Sequence, residues 1–198
     1  NSIIDANKKD IEDAKKLLEN GELSYSIIKR LEVTDAKINE MIIGIKDVAK
    51  LADPLGKTLD ALELDAGLEL YQVITPIGVI GMVFESRPDV VPQIISLALK
   101  SGNCVLLKGG KESANTNKAI YNILIDSLDS KEIPKDAFQL LEKREDVNEM
   151  LKLDTYIDLV IPRGSNEFVR FVQSNTKIPV LGHADGICHA YVDKSFDE

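Results

Sequence analysis

Ser101-Gly102-Asn103-Cys104-Val105-Leu106-Leu107-Lys108-Gly109-Gly110-Lys111-Glu112 is the stretch on which the reading of this chain turns. A glycine turn opens onto an apolar run at 104–107, which ends in a lysine, a glycine pair and a second lysine. A helix-like segment follows at once. Short runs that are apolar throughout are strands covered on both faces, the habit of parallel sheets. Ligands of such sheets bind beyond the carboxyl ends of the strands. A lysine beside bare backbone at that edge is a layout for an anionic cofactor.

Outward from this stretch the same alternation continues. Strand-like runs lie at 78–84, 104–108, 138–141, 157–161 and 188–192, with a shorter one at 179–181. Helix-like runs lie between them at 88–99, 112–128, 144–151 and 164–173. This predicts an α/β domain, doubly wound, with a mostly parallel sheet. Helices precede it. Ile4, Ile11, Ala14, Leu17 and Leu18 form one helical stripe, closed by Asn20-Gly21. Ile38, Met41, Ile42, Ile45 and Val48 form a second, with Thr34 or Asp35 as N-cap and Asp53-Pro54 as its break. The run 68–75 reads as a strand on an excursion from the main body. No internal repeat or low-complexity segment is present.

Composition sets the class. A chain of 198 residues with 44% hydrophobic and 29% charged residues suits a soluble globular domain with a sizeable core. A net charge of −9 argues against general nucleic-acid binding. No apolar run approaches the roughly 20 residues needed to span a bilayer, and no secretory signal opens the chain. Cys104 and Cys188 fall in apolar, strand-like runs without metal-site spacing, so both are expected to be buried, reduced thiols, with no metal site. The start at Asn1 and the polar tail at Glu198 hint at a piece of a longer chain.

Four segments follow predicted strands: Glu85-Ser86-Arg87-Pro88, Lys108-Gly109-Gly110-Lys111, Pro162-Arg163-Gly164-Ser165 and Gly182-His183-Ala184-Asp185. Lys108 reads either as a solvated strand end or as a ligand for ribose or phosphate, with Gly109 and Gly110 letting that ligand approach the backbone. Ser165 or Asn166 reads as a helix N-cap, and the same helix start suits a pyrophosphate, with Arg163 adding a charge. Arg87 either clamps an anion or pairs with Glu85 or Asp89. His183 suits the site or a cap, whereas His189, inside an apolar run, reads as a core residue. Neither G-x-G-x-x-G nor a P-loop is present, and no nucleophile stands out.

Pro76-Ile77-Gly78-Val79-Ile80-Gly81, Phe84-Glu85-Ser86-Arg87-Pro88-Asp89, Ser101-Gly102-Asn103, Leu107-Lys108-Gly109-Gly110-Lys111-Glu112, Ile157-Asp158-Leu159-Val160-Ile161-Pro162-Arg163-Gly164-Ser165 and Val180-Leu181-Gly182-His183-Ala184-Asp185-Gly186-Ile187-Cys188-His189 resemble the gamma-glutamyl phosphate reductase family, also called glutamate-5-semialdehyde dehydrogenase. They are equally similar to the reductase half of bifunctional pyrroline-5-carboxylate synthase. The resemblance covers nearly the whole chain and implies an aldehyde dehydrogenase-like fold: a cofactor domain joined to a catalytic domain and a small oligomerising arm.

It implies NADPH-dependent reduction of L-glutamyl 5-phosphate to L-glutamate 5-semialdehyde, with phosphate release, in proline biosynthesis. Residues 1–198 then correspond to the NADP-binding portion. The family's nucleophilic cysteine lies in a motif downstream of Gly182–Gly186, so no catalytic residue is assigned here.

Taken together, the strand-end segments and the resemblance give Lys108, Gly109, Gly110, Lys111, Arg163, Gly164 and Ser165 as the expected cofactor-binding residues, and Arg87 and His183 as the expected substrate-binding residues. Lys111 stands where NAD-preferring relatives place a glutamate, which favours NADP(H). Val180 stands where hydrolytic relatives carry a general-base glutamate. The implied setting is a cytoplasmic homo-oligomer working with glutamate 5-kinase, separate or fused. A mitochondrial location goes with a bifunctional eukaryotic parent. A non-catalytic nucleotide-binding or scaffolding module is the competing expectation.

Overall fold

The computed structural model describes residues 1–129, 131, 133–143, 145–182 and 188–195. Helices α1 (Ser2–Glu19), α2 (Tyr25–Leu31) and α3 (Asp35–Lys50) come first. A two-stranded antiparallel hairpin follows, β1 (Thr58–Asp65) with β2 (Leu68–Val73). The remaining elements alternate: β3 (Val79–Phe84), α4 (Val90–Lys100), β4 (Cys104–Lys108), α5 (Ala114–Asp129), β5 (Phe138–Leu140), α6 (Glu145–Met150), β6 (Leu159–Arg163) and α7 (Asn166–Ser174).

The four strands β3 to β6 form one parallel sheet in the order β5-β4-β3-β6. Their residues divide by parity, because successive side chains of a strand point to opposite faces. Ile80 and Phe84 of β3, Val105 and Leu107 of β4 face α4 and α5 through Val91, Ile94, Ile95, Ala98 and Ile120. Val83 and Val160 face the opposite way, onto Met150 of α6 and Val172 of α7. Both faces are covered, which is why the strands read as near-continuous apolar runs. Gly78 sets up the entrance to β3 at φ +125°, a region few L-residues adopt. A Cβ there would lie 2.1 Å from Oδ2 of Asp158, the atom that accepts from the Val79 amide.

The N-terminal helices are tied to this domain by buried polar contacts. The Asn7 side chain donates to Leu31 O and Thr116 Oγ1 and accepts from the Val33 amide. Asp10 accepts from the amides and side chains of Asn115 and Thr116 at the start of α5. Thr34 caps α3, accepting from the Lys37 amide as its sequence position suggests. The expected excursion is the hairpin, exposed along both strands.

Several expectations need correction. The sequence pattern predicts no element over 21–33 or 58–65, where α2 and β1 stand. Helix α4 begins two residues later than expected, behind an Asp89 N-cap. The run 188–192 is not a strand, because the free edge of β6 is already taken. Val160 donates to Pro179 O, and the Leu181 amide donates to Val160 O.

Cys188 and His189 are consequently exposed rather than buried. Cys104 is exposed too, as the first residue of β4 at the open end of the sheet. His183 and Arg144 lie outside the described residues. No helix among the described residues is long and apolar enough to cross a membrane.

Candidate functional site

The chain runs from β3 through β4 to β5 on one side, then crosses to place β6 on the other side of β3. That reversal is a topological switch point, and crevices open at such points beyond the carboxyl ends. The register aligns Val83 with Lys108 and Phe84 with Arg163. The Lys108 turn and the Gly164-Ser165 helix start therefore share one edge, with the Glu85-Ser86-Arg87 turn between them. A cleft of about 410 Å³ opens there, lined by Phe84, Glu85, Arg87, Arg163, Gly164, Ser165 and, from α2, Arg30.

Lys108 is not a solvated strand end. It is only 7% exposed, and its Nζ donates to Gly109 O at 2.6 Å. Burial lowers its pKa from the ordinary lysine value, with the charges of Glu112 and Asp146 acting against that shift. Lys111 opens a single 3-10 turn, Lys111–Ser113, and points to solvent with no ion-pair partner among the described residues.

The glycines beside Lys108 serve the chain's own packing in this state. A Cβ at Gly109 would meet the Asn117 amide at 2.2 Å. One at Gly110 would meet the Glu112 carboxylate at 2.0 Å. That carboxylate accepts from the Ser86 amide at 2.8 Å and the Ser86 hydroxyl at 2.7 Å. It thereby holds Ser86 in the left-handed region, at φ +45°, unusual for a non-glycine residue. Glu112 thus ties the turn after β3 to the turn after β4.

Ser165 is the N-cap of α7, its hydroxyl accepting from the Phe168 amide. Its own amide donates to Glu85 Oε2 at 3.2 Å. The helix start already holds an oxyanion, the Glu85 carboxylate, which crowds the position a Cβ would take at Gly164. The donor set therefore fits an anionic group such as a pyrophosphate.

Arg87 pairs with Asp89 at 3.3 Å, one of the two partners its sequence position offered. Arg163 and Arg30 have no ion-pair partner among the described residues. Arg30 is not among the residues that the sequence pattern marks as candidates. Ser24 as a cap with Ile27, Ile28 and Leu31 at helical spacing would have marked its helix. Val180 is half-buried, packed against the β6 side of the sheet.

No family model matches the chain. It is 61% identical over all 198 of its residues to a gamma-glutamyl phosphate reductase from Methanococcoides burtonii, 44% of whose length it covers. It superposes on the crystal structure of gamma-glutamyl phosphate reductase from Saccharomyces cerevisiae with a TM-score of 0.84 at 49% identity, covering 94% of this chain and 47% of that one. An acetylating aldehyde dehydrogenase from Geobacillus thermoglucosidasius shares the fold alone, with a TM-score of 0.52 at 15% identity, covering 88% and 46%.

The chain thus spans less than half the length of the relatives it matches. Over all 198 residues the chain is thus similar to gamma-glutamyl phosphate reductases, and it shares the fold of the one from Saccharomyces cerevisiae.

Proposed function

We propose that the chain is the NADP(H)-binding portion of an enzyme that reduces L-glutamyl 5-phosphate to L-glutamate 5-semialdehyde in proline biosynthesis. The observation that carries this reading is the convergence of Lys108 and Ser165 on one sheet edge across β3. Lys108, Lys111 and the Gly109-Gly110 turn bind the adenosine end. Gly164-Ser165 and Arg163 bind the pyrophosphate. Arg87, released from Asp89, binds the substrate's anionic group, and His183 is proposed as a second substrate-binding residue. The bound nicotinamide supplies the hydride.

The chain alone is expected to bind cofactor without turnover. Cys104 stands at the amino end of β4, the strand's length away from the ledge, and Cys188 lies in an irregular segment. The acyl-capturing cysteine is assigned to the rest of the enzyme. That enzyme is proposed to be a cytoplasmic homo-oligomer fed by glutamate 5-kinase.

Titration with NADPH, followed by its fluorescence, tests the reading together with Lys108→Met. The ammonium is the binding form. The dissociation constant should therefore be level at neutral pH and rise as pH climbs through the lowered Lys108 pKa, sooner than for a solvated lysine. Lys108→Met should weaken binding about tenfold at neutral pH and abolish that alkaline rise, one charge-assisted bond being worth about 1.5–3 kcal/mol. The folded chain holds this proton less tightly than the unfolded chain, so removing the ammonium should not lower stability. A pH profile identical in both proteins refutes the role of Lys108.

Glu85 opposes the same ligand. A pyrophosphate at the start of α7 competes with its carboxylate for the Ser165 amide. Glu85→Gln keeps an acceptor for that amide while removing a like charge. It should tighten NADPH binding about fivefold, since a repulsion at this solvated edge is worth about 1 kcal/mol. Unchanged or weaker binding counts against this placement of the pyrophosphate.

A further inference from the structure

We infer that Arg30 is a phosphate-binding residue of the cleft, delivered to the carboxyl edge of the sheet by an N-terminal helix that is no part of the doubly wound core. The inference rests on the cofactor-site reading above and adds to that site a residue from outside the parallel-sheet core. Arg30 lines the cleft with Arg87 and Arg163, against a single carboxylate, Glu85. Glu85 forms no ion pair with any of the three, its oxygen being directed to the Ser165 amide. Arg30 and Arg163 have no anionic partner within reach among the described residues, and Arg87 has only an exposed pair with Asp89 at 3.3 Å. Three arginines line one cleft of a chain with net charge −9, with one carboxylate among them. Such an arrangement is stabilised by an anion that several guanidinium groups share, and planar forks favour phosphate oxygens.

The position of Arg30 is also built rather than incidental. Ile28 and Leu31 of the same helix are buried against Ala14, and Leu31 is fully enclosed. The carbonyl of Leu31 and the amide of Val33 are both bonded to the buried Asn7 side chain. Asn7 in turn bonds Thr116 of α5, while Val33 enters the main core. Helix α2 is therefore fixed on both sides of Arg30, and the guanidinium reaches the ledge from a rigid base. Lys29, one residue earlier, is absent from the cleft lining and lies over the Tyr25 ring at 5.8 Å instead. It supplies a control of equal charge on the same turn.

Two phosphate sources fit this cleft, the cofactor's pyrophosphate and an acyl phosphate. The experiment separates them with NADPH and acetyl phosphate as probes, each titrated into the chain and its Arg30→Gln, Arg30→Lys and Lys29→Gln variants. Arg30→Gln should raise one of the two dissociation constants about tenfold. Arg30→Lys should recover only part of the loss, and Lys29→Gln should change neither constant. The effect should shrink as ionic strength rises. A loss confined to NADPH assigns Arg30 to the cofactor, and a loss confined to acetyl phosphate assigns it to the substrate.

Equal effects of Arg30→Gln and Lys29→Gln, or no effect on either probe, overturn the proposal. Wild-type chain that binds acetyl phosphate but not NADPH removes the cofactor reading while leaving Arg30 testable. Thermal unfolding of Arg30→Gln should match wild type, because the side chain is exposed, and a lowered midpoint would assign Arg30 a structural role instead.

Discussion

Asp10→Ala is expected to lower the unfolding free energy by about 3 kcal/mol, the size of a buried charge-assisted cap lost whole. Asp10 is 4% exposed, and its carboxylate accepts from the Asn115 amide at 3.2 Å and the Thr116 amide at 2.7 Å, with both side chains adding bonds. Those amides belong to the first turn of α5, where a helix has no internal acceptors. Alanine removes the acceptor of the Thr116 amide and hydroxyl, where Thr116 is fully buried. The carboxylate also faces the positive end of the α5 dipole, so charge is lost with the bonds.

Urea unfolding should show the full loss, and the melting temperature should fall by about 6–12 °C for a chain of this length. Asp10→Asn, which keeps one acceptor oxygen, should fall between. Asp13→Ala is the control on the same helix. Its pair with Lys16 is exposed, and such pairs contribute about 0–1 kcal/mol. Equal losses for Asp10→Ala and Asp13→Ala show that the cap does not hold α1 to the domain.

Lys111→Glu should shrink or reverse the preference for NADPH over NADH, changing the ratio of their dissociation constants by about 1–3 kcal/mol, or roughly 5–150-fold. Lys111 opens the 3-10 turn after β4 and is exposed, where in the proposed binding mode it meets the 2′-phosphate, while its neighbour Glu112 turns inward to Ser86. A glutamate at 111 replaces attraction to that phosphate with repulsion and offers an acceptor to unphosphorylated ribose hydroxyls. NADH binding should therefore hold or improve while NADPH binding weakens. Because Lys111 is exposed, the wild-type preference should decline with added salt, as the Debye length falls from about 10 Å at 0.1 M to about 3 Å at 1 M. A ratio unchanged by the substitution removes Lys111 from the specificity assignment.

The parts of this molecule that could be read in advance are those with local causes. Near-continuous apolar runs at 79–84 and 104–107 announce strands buried on both faces, because each parity needs its own helix layer. Thr34 and Ser165 announce helix starts, because a cap bonds an amide three residues on. The turns after β3, β4 and β6 could be placed on one ledge once the sheet was read as parallel.

The failures have physical causes as well. Residues 188–192 have strand-like composition, yet a strand needs an open edge, and residues 179–181 occupy that of β6. β1 carries Asp, Ala and Glu, which strands disfavour, and it forms only because β2 folds back on it.

What the sequence determined alone is the alternation of elements, the parallel sheet and the placement of Lys108, Arg163 and Ser165 at strand ends, since periodicity and capping act over a few residues. Only the tertiary structure decided that Asp10 caps a helix more than a hundred residues away and that Glu112 restrains Ser86. It alone withdrew Lys108 from solvent and brought Arg30 to a cleft built from residues 84–87 and 162–165. Those outcomes depend on how helices dock on the sheet, and docking is set by the summed packing of many side chains, so no short stretch of sequence carries the signal.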